Sequence, residues 1–232
     1  AALAAAEITG ATGREFITGI AAGYEVMQRM AADFIPTTMA RGFHAGPVFG
    51  IFGAAVALAK ITGLTLCRML RRQYGFNAIC LMPTNLYGPG DNFDLANSHV
   101  LPALIRKAHE AKLRGDRTLP VWGSGRPRRE FLHVDDLADA VLHCMDHYEE
   151  EGPINIGTGQ DVAIADLARM VCQIVGFTGD ITLDPSKPDG TMRKLLDISR
   201  LNALGWHHKI AIKDGIASTY EWYRTQTTAT AP

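Results

Sequence analysis

Short apolar runs alternate with helical patterns over most of this 232-residue chain, from about residue 71 onward. The runs are brief and are bounded by Pro, Gly or polar residues, as buried strands of a parallel sheet are. The runs that predict strands are 78–82, 119–122, 130–134, 154–156 and 181–183. Helical periodicity fills the intervals between them, so the sequence predicts an α/β fold from this point on.

A loop rich in Pro and Gly follows the first predicted strand. Pro83 ends the apolar run, and the Gly-Pro-Gly sequence at 88–90 predicts an irregular backbone. Ser98 suits the N-cap of the next helix, which places His99 in its first turn. Loops at the carboxyl ends of parallel strands bind ligands in open α/β sheets. His99 is therefore a candidate general acid or base, and a polar helix-start residue is the open alternative.

Two segments carry clustered positive charge. Arg126, Arg128 and Arg129 follow a Gly-rich turn, and residues 187–194 form a second basic loop. Guanidinium groups in such loops suit bidentate recognition of phosphate, although a solvated loop explains the first cluster as well. The two segments together predict an anion site for a diphosphate ligand.

Residues 9–13, Thr-Gly-Ala-Thr-Gly, imitate the start of a dinucleotide-binding glycine loop. That loop requires a strand before it and a third glycine for close helix packing. Helical sequence precedes this motif, and Phe16 stands at the third-glycine position. The pattern therefore favours a turn between helices over a phosphate loop.

His143 and His147 share one face of a predicted helix. A zinc protease has a glutamate after the first histidine and a third ligand elsewhere, whereas this segment is His-Cys-Met-Asp-His. We expect a surface helix end, with His147 favoured by the helix dipole.

The bulk composition argues against several partner classes. A formal net charge of -1 gives no electrostatic reason to expect nucleic acid or an anionic membrane. No uninterrupted apolar run is long enough to span a bilayer. The four cysteines, scattered without a C-x-x-C pair, are typical of small apolar residues in a reduced, cytoplasmic protein. The sequence thus predicts a soluble cytoplasmic protein.

Long segments from about Lys60 to Tyr223 closely resemble the carboxyl-terminal part of the GDP-L-fucose synthase family, a group of extended short-chain dehydrogenase/reductases. The resemblance is carried by residues 82–93, 97–104, 121–125, 129–136, 154–159, 186–197 and 217–223. It implies a truncated Rossmann-like α/β fold in which residues 60–232 form the nucleotide-sugar-binding region.

That family binds NADP(H) and a GDP-4-keto-6-deoxy-mannose, epimerises the sugar at C3 and C5, and then reduces the C4 ketone. By resemblance, His99 is the acid/base of epimerisation and Lys60 is the lysine of the catalytic pair. The resemblance assigns the cofactor to Lys60, Pro83, Asn85, Leu86 and His99, and the nucleotide-sugar to Val100, Lys107, Trp122 and Arg129. The implied assembly is a homodimer with a GDP-sugar and NADP as its small-molecule partners.

The sequence departs from the family at the catalytic pair. The family has Tyr-x-x-x-Lys on one helix, and here Val56 stands four residues before Lys60. Valine has no proton to donate. Too few residues precede Lys60 for the βα units of a complete nucleotide-binding half. We therefore expect part of the GDP-sugar site to be kept and the epimerase/reductase activity to be impaired or lost.

Residues 1–59 instead resemble an interior helical segment of the MmgE/PrpD family, which includes 2-methylcitrate dehydratase and cis-aconitate decarboxylase. The segment is rich in Ala and Gly, and the pattern at 52–70 predicts one long helix. His44 falls on an active-site histidine of that family, but one histidine cannot carry dehydratase or decarboxylase chemistry. The chain is thus interpreted as a chimera joined between about Ala54 and Gly63. The alternative is a non-catalytic product whose Ala-rich helices cover exposed sheet and promote oligomerisation.

Overall fold

The computed structural model describes Thr12, Gly13, Ile17 and residues 45–229. The expectations for His44 and for most of the glycine motif at 9–13 fall outside these residues. The chain divides into two compact units. One contains the residues up to Cys80 together with Glu149–Pro153, and the other contains Leu81–Tyr148 and the chain from Ile154 onward. The domain boundary expected between residues 59 and 60 stays a prediction.

One long helix, α1, spans Ala45–Tyr74 in the first unit. The helix predicted at 52–70 is confirmed and extends further at both ends. Near its carboxyl end, Arg72 Nε lies 2.8 Å and Arg68 Nε 3.7 Å from Glu151 Oε1, which fastens the 149–153 segment to the helix. Basic side chains in the last turn also oppose the negative end of the helix dipole. None of the helices in the described part of the chain is long and apolar enough to cross a membrane.

Pairs of strands alternate with helices from Cys80 onward, which confirms the α/β class. The strands are β1 (Cys80–Pro83), β2 (Asn85–Tyr87), β3 (Thr118–Trp122), β4 (Arg128–His133), β5 (Pro153–Ile156), β6 (Asp161–Ala163), β7 (Asp180–Asp184) and β8 (Arg193–Lys194). The helices are α2 (Val100–Arg114), α3 (Val134–His147), α4 (Ile164–Val175), α5 (Ser199–Ala203) and α6 (Ile212–Ala229). Every strand predicted from an apolar run is present, whereas the short strands β2, β6 and β8 were not predicted.

Strand β4 lies inside a sheet of order β2–β4–β6, with β8 also paired to β4. The second half of β4 is parallel to β2, with Leu132 opposite Leu86. Its first half is antiparallel to β6 and parallel to β8, so that Arg129 is opposite both Val162 and Lys194. Helix α2 lies in the crossover that parallel pairing of β2 and β4 requires. The remaining strands form the pairs β1–β5 and β3–β7.

The core of the second unit lies where α2, α4 and α6 meet strands β3 and β4. Helix α2 is amphipathic, and its inner face is formed by Leu101, Leu104, Ile105, Ala108 and Ala111, all buried. These residues join one cluster with apolar side chains of α4 and α6. The three-to-four-residue spacing that predicts the helix also produces its buried face.

Helix ends in this unit follow the local sequence. Gly176 closes α4 in the left-handed region at φ 75°, where glycine is favoured. His133 is the N-cap of α3, and its Nδ1 accepts a hydrogen bond from Asp135 N–H at 3.2 Å. Asp136 in the first turn is buried and accepts hydrogen bonds from the N–H groups of Lys209 and Ile210, each at 3.0 Å. Asp136 therefore holds a distant loop as well as favouring the helix dipole.

Two local predictions for the loop after β1 are wrong. The backbone is not irregular throughout, because Asn85–Tyr87 forms β2. Its pairing with β4, a partner far along the chain, imposes the strand conformation. The N-cap of α2 is His99 rather than Ser98. Ser98 N–H instead donates to Asp94 O at 2.7 Å, which places Ser98 in a turn before the helix.

The substitution Ile105→Ala is expected to lower the free energy of unfolding by about 2–5 kcal/mol, because a fully buried side chain would leave a cavity. Leu113→Ala is the matched control, since Leu113 belongs to the same helix and is 73 % exposed. The free energy of unfolding of that variant should stay within about 0.5 kcal/mol of the parent value. Urea denaturation measures both values, and two equally small changes would contradict the core described above.

His109 on α2 contacts α6, with its Nδ1 3.0 Å from Tyr220 OH. Burial lowers the pKa of His109, and the charges of Lys112 and Arg224 lower it further. In the unfolded chain the ring takes up a proton near a pKa of about 6.5, whereas in the folded chain it does so only at lower pH. The unfolded state therefore binds more protons in this window, and this ring makes stability fall as the pH drops below about 6.5.

We expect His109→Gln to reduce the loss of stability between about pH 7.5 and about pH 5.5. The measurement is the shift of the urea midpoint between the two pH values, taken as the difference from the parent. Tyr220→Phe removes the hydroxyl and keeps the ring of His109, so it should lower stability at both pH values by a similar amount. A pH shift in His109→Gln equal to that of the parent would show that His109 does not cause it.

Candidate functional site

Trp122 stands at the end of β3 between two lysines. Its side chain is 61 % exposed. Lys107 Nζ lies 4.8 Å and Lys187 Nζ 5.3 Å from the centroid of the Trp122 ring, within the range of cation–π attraction. Partial burial lowers the pKa of Lys107. The structure thus brings together two of the residues assigned to the nucleotide-sugar and one residue of the second basic loop.

Asp189 fastens that basic loop to the turn after β3. Its Oδ2 accepts a hydrogen bond from Ser124 Oγ at 2.6 Å, and its Oδ1 accepts one from Ser124 N–H at 2.8 Å. These hydrogen bonds lower the pKa of Asp189. Gly123 has φ 79°, and a Cβ at this position would lie 2.4 Å from Asp189 Oδ1. Glycine at position 123 therefore permits both the turn and the close approach of the carboxylate.

Arg129 belongs to β4 and lies beside the same loop. Its Nη1 donates hydrogen bonds to Thr191 O at 2.5 Å and to Arg128 O at 2.8 Å. The backbone of Arg129 is opposite that of Lys194 in β8. The guanidinium group is therefore held at the base of the basic loop, so the two basic segments lie together.

The sequence predicts that Arg128 and Arg129 share one loop, and the structure corrects that prediction. Arg128 also lies in β4, and its Nε donates to Asp161 Oδ1 at 2.7 Å. Arg193 Nε donates to Asp161 Oδ2 at 2.5 Å. The two guanidinium groups hold the pKa of Asp161 below its usual range. A phosphate at this point would have to compete with a carboxylate that already lies between the two arginines.

His99 is exposed at the start of α2, where its backbone is extended and its side chain makes no capping hydrogen bond. The half-buried carboxyl of Asp91 lies within electrostatic range of the imidazole. Burial raises the pKa of Asp91, and both the N–H of Asn92 and the charge of His99 oppose that effect. Lys107 is two turns further along the same helix, about 12 Å from His99 along the axis. No prediction from the sequence covered Asp91, although an acid in a Gly-rich loop eight residues before a candidate histidine is a usable signal.

The residues assigned to the cofactor have different surroundings. Pro83 is exposed at the end of β1, and Leu86 is half-buried in β2. Asn85 uses its side chain structurally, because Nδ2 donates to Glu130 O at 2.7 Å. Lys60 lies in α1, in the other unit, and its side chain is outside the described residues.

Two further residues differ from what their sequence suggests. Val100, assigned to the nucleotide-sugar, packs against the hydrophobic core. Glu130 is fully buried beside Arg129, whereas the sequence pattern predicts only that it belongs to a strand. The available signal was a carboxylate at the start of an otherwise apolar run. A charged residue in that position requires partners, because burying it alone is costly.

The two histidines of α3 lie toward its carboxyl end, where His147 is exposed as expected, and they also contact each other. Their rings stack with centroids 4.2 Å apart. His143 Nε2 lies 2.9 Å from Leu204 O, and His147 Nδ1 lies 2.9 Å from His143 O. No group of metal-binding side chains of the size a metal ion requires occurs among residues 45–229 and the three described residues before them.

Two family models match the sequence. Residues 55–157 match the NAD dependent epimerase/dehydratase family, and residues 1–71 match the MmgE/PrpD N-terminal domain. The two matches overlap from 55 to 71, and most of the junction expected between Ala54 and Gly63 falls in this overlap.

Relatives of known structure or curated name match the carboxyl-terminal part. A probable GDP-L-fucose synthase 1 of Oryza sativa subsp. japonica is 55 % identical over 167 residues, which cover 72 % of this chain and 51 % of that protein. A GDP-6-OMe-4-keto-L-xylo-heptose reductase from C. jejuni has a TM-score of 0.68 at 40 % identity, covering 76 % of this chain and 62 % of that one. A GDP-L-fucose synthetase from Naegleria fowleri bound to NADP has a TM-score of 0.65 at 30 % identity, covering 75 % and 57 %.

This chain spans about half the length of the curated relatives it matches. These matches confirm the expected chimera. The carboxyl-terminal part is a Rossmann-like α/β region similar to GDP-L-fucose synthases, and the amino-terminal part is similar to the MmgE/PrpD N-terminal domain.

Proposed function

We propose that the carboxyl-terminal part of this chain binds a GDP-sugar through a partial GDP-L-fucose synthase site. The observation that carries the proposal is the fastening of the basic loop 187–194 to two places, Arg129 and the turn after Trp122. The identity of 55 % to a probable GDP-L-fucose synthase supports it. On this proposal Arg129, Trp122, Lys107 and Val100 line the nucleotide-sugar side.

The chemistry of these side chains suits a nucleoside diphosphate. The Arg129 guanidinium offers several N–H donors in one plane, a geometry that pairs with phosphate oxygens. The exposed indole of Trp122 provides a flat surface on which a base can stack. Lys107 and Lys187 place positive charge over that ring, with Nζ 4.8 Å and 5.3 Å from its centroid. A ligand that carries both phosphate groups and an aromatic base could pair with the positive charges and stack on the indole.

The epimerisation step is proposed for His99. Moving a proton at a carbon beside a ketone needs a base to remove it and an acid to return one. An exposed imidazole can do either, and the Asp91 carboxyl lies within electrostatic range of it. The ketone reduction has less support, because Val56 stands where the family has its proton-donating tyrosine. We therefore propose a protein that binds the GDP-sugar and is impaired in the full epimerase/reductase reaction.

NADP is the cofactor that the relatives imply, and its reduced form, NADPH, would when bound supply the hydride for reduction of the ketone and become NADP⁺. The described residues fit it only in part. Pro83 and Leu86 can contact a ring, whereas the amide of Asn85 is already donated to Glu130 O. None of these three carries a charge for the phosphate groups. The charged member of the proposed set, Lys60, belongs to the other unit.

A homodimer is proposed on separate evidence. Leu66 and Met69 lie one turn apart on α1 and are 55 % and 52 % exposed. Apolar side chains that share an exposed helix face favour association. The same pair supports the second candidate function, a non-catalytic oligomerising product. Light scattering that shows an oligomer, together with no binding of GDP or NADP, would favour that candidate. His44, which suggested dehydratase or decarboxylase chemistry, falls outside the described residues.

The test of the GDP-sugar proposal is calorimetric titration of the intact chain with GDP and with GDP-mannose. Arg129→Ala should weaken binding by roughly tenfold or more, because a charge-assisted pair with phosphate is lost. Arg224→Ala on α6 is the control, since it removes an arginine that pairs with Glu221 instead. Absence of heat from the intact chain, or equal affinities for the two variants, would overturn the proposal.

A further inference from the structure

Glu130 is the side chain that the proposed function leaves unexplained. Its carboxylate is fully buried, one residue after Arg129 on β4. Taking a carboxylate out of water is costly unless hydrogen bonds replace the lost hydration. A carboxylate in this position therefore requires hydrogen-bond donors, and the segments that supply those donors are held in place by it.

The donors come from two separate segments. Oε1 accepts hydrogen bonds from the N–H groups of Thr158 and Gly159, each at 2.7 Å. Oε2 accepts one from Leu196 N–H at 2.9 Å. A Cβ on Gly157 would lie 2.4 Å from Oε1, so the absence of a side chain there lets the loop reach the carboxylate. One side chain thus joins the loop after β5 to the segment after β8.

The main chain of the same residue holds a third segment. Glu130 O accepts hydrogen bonds from Asn85 Nδ2 at 2.7 Å and from Thr84 Oγ1 at 3.3 Å. Leu196 follows β8 by two residues, and β8 is the strand paired with Arg128 and Arg129. The carboxylate therefore anchors the carboxyl end of the basic loop whose Thr191 O accepts from Arg129.

We propose that Glu130 is a positioning residue, which fixes the basic loop 187–194 against Arg129 in the arrangement that binds the diphosphate. The inference rests on the proposed GDP-sugar function and names a residue that acts through another. This positioning role requires a carboxylate, because both side-chain oxygens must accept hydrogen bonds. Glutamine has one accepting oxygen and one donating NH₂, so either orientation places a donor against an N–H group. The orientation that keeps the hydrogen bonds from Thr158 and Gly159 loses the hydrogen bond from Leu196 N–H.

Calorimetric titration of the intact chain with GDP tests this, at a temperature where circular dichroism shows each variant folded. Glu130→Gln is expected to weaken GDP binding by roughly tenfold. Asp136→Asn is the matched control, because Asp136 is also a buried carboxylate that accepts two backbone N–H groups, at a different loop. Asp136→Asn should lower the thermal midpoint and leave GDP affinity within about twofold of the parent. If Glu130→Gln does not fold, Glu130→Asp replaces it in the same titration.

A double variant separates positioning from general loosening of the fold. If Glu130 acts through Arg129, Glu130→Gln should weaken binding much less in the Arg129→Ala background than in the parent. Equal weakening in both backgrounds, equal weakening by Asp136→Asn, or parental affinity in Glu130→Gln would each overturn the inference while the GDP-sugar function stands. No binding by the parent chain would overturn both. Loss of affinity confined to the Glu130 variants and dependent on Arg129 would support the positioning role.

Discussion

Strand β4 has hydrogen-bonded neighbours along both of its edges, and this requirement organises much of the second unit. Backbone N–H and C=O groups in a buried strand need partners. Residues 128–130 meet β6 and β8, and residues 131–133 meet β2. Three stretches far apart in sequence therefore converge on six residues. The candidate site lies where the edges change partner, so the sheet itself brings the basic segments together.

The sequence predicts those parts of the fold that depend on local pattern. Apolar periodicity is enough to predict α2, because the spacing of Leu101, Leu104 and Ile105 matches the buried face of a helix. Strand β2 was missed since Asn85–Tyr87 lies between proline and glycine, and only its distant partner makes it a strand. The cap of α2 was misplaced for a related reason: Ser98 has the better capping side chain, yet its backbone N–H is held in a turn by Asp94 O. The helix begins one residue later, with His99 as its N-cap.

The candidate site also depends on distant partners that local sequence pattern does not predict. Arg128 and Arg129 are adjacent and chemically identical, so no pattern in the sequence separates them. Asp161 pairs with Arg128, whereas Arg129 turns toward Thr191 O, and these partners come from elsewhere in the chain. Family resemblance pointed to Arg129 without supplying this reason. It could not show that the side chain of Asn85 is engaged by Glu130.

The late position of β8 in the chain has a consequence for synthesis. During translation β4 emerges from the ribosome well before Arg193 and Lys194 are made. One edge of β4 therefore lacks its partner β8 during that interval. An unpaired edge is a template for pairing with other chains. Arg128, at the start of this edge, carries a charge that discourages such pairing until its own partners are made. The arginine that takes no part in the proposed binding of the diphosphate thus places a charge on a strand edge that is unpaired until β8 is made.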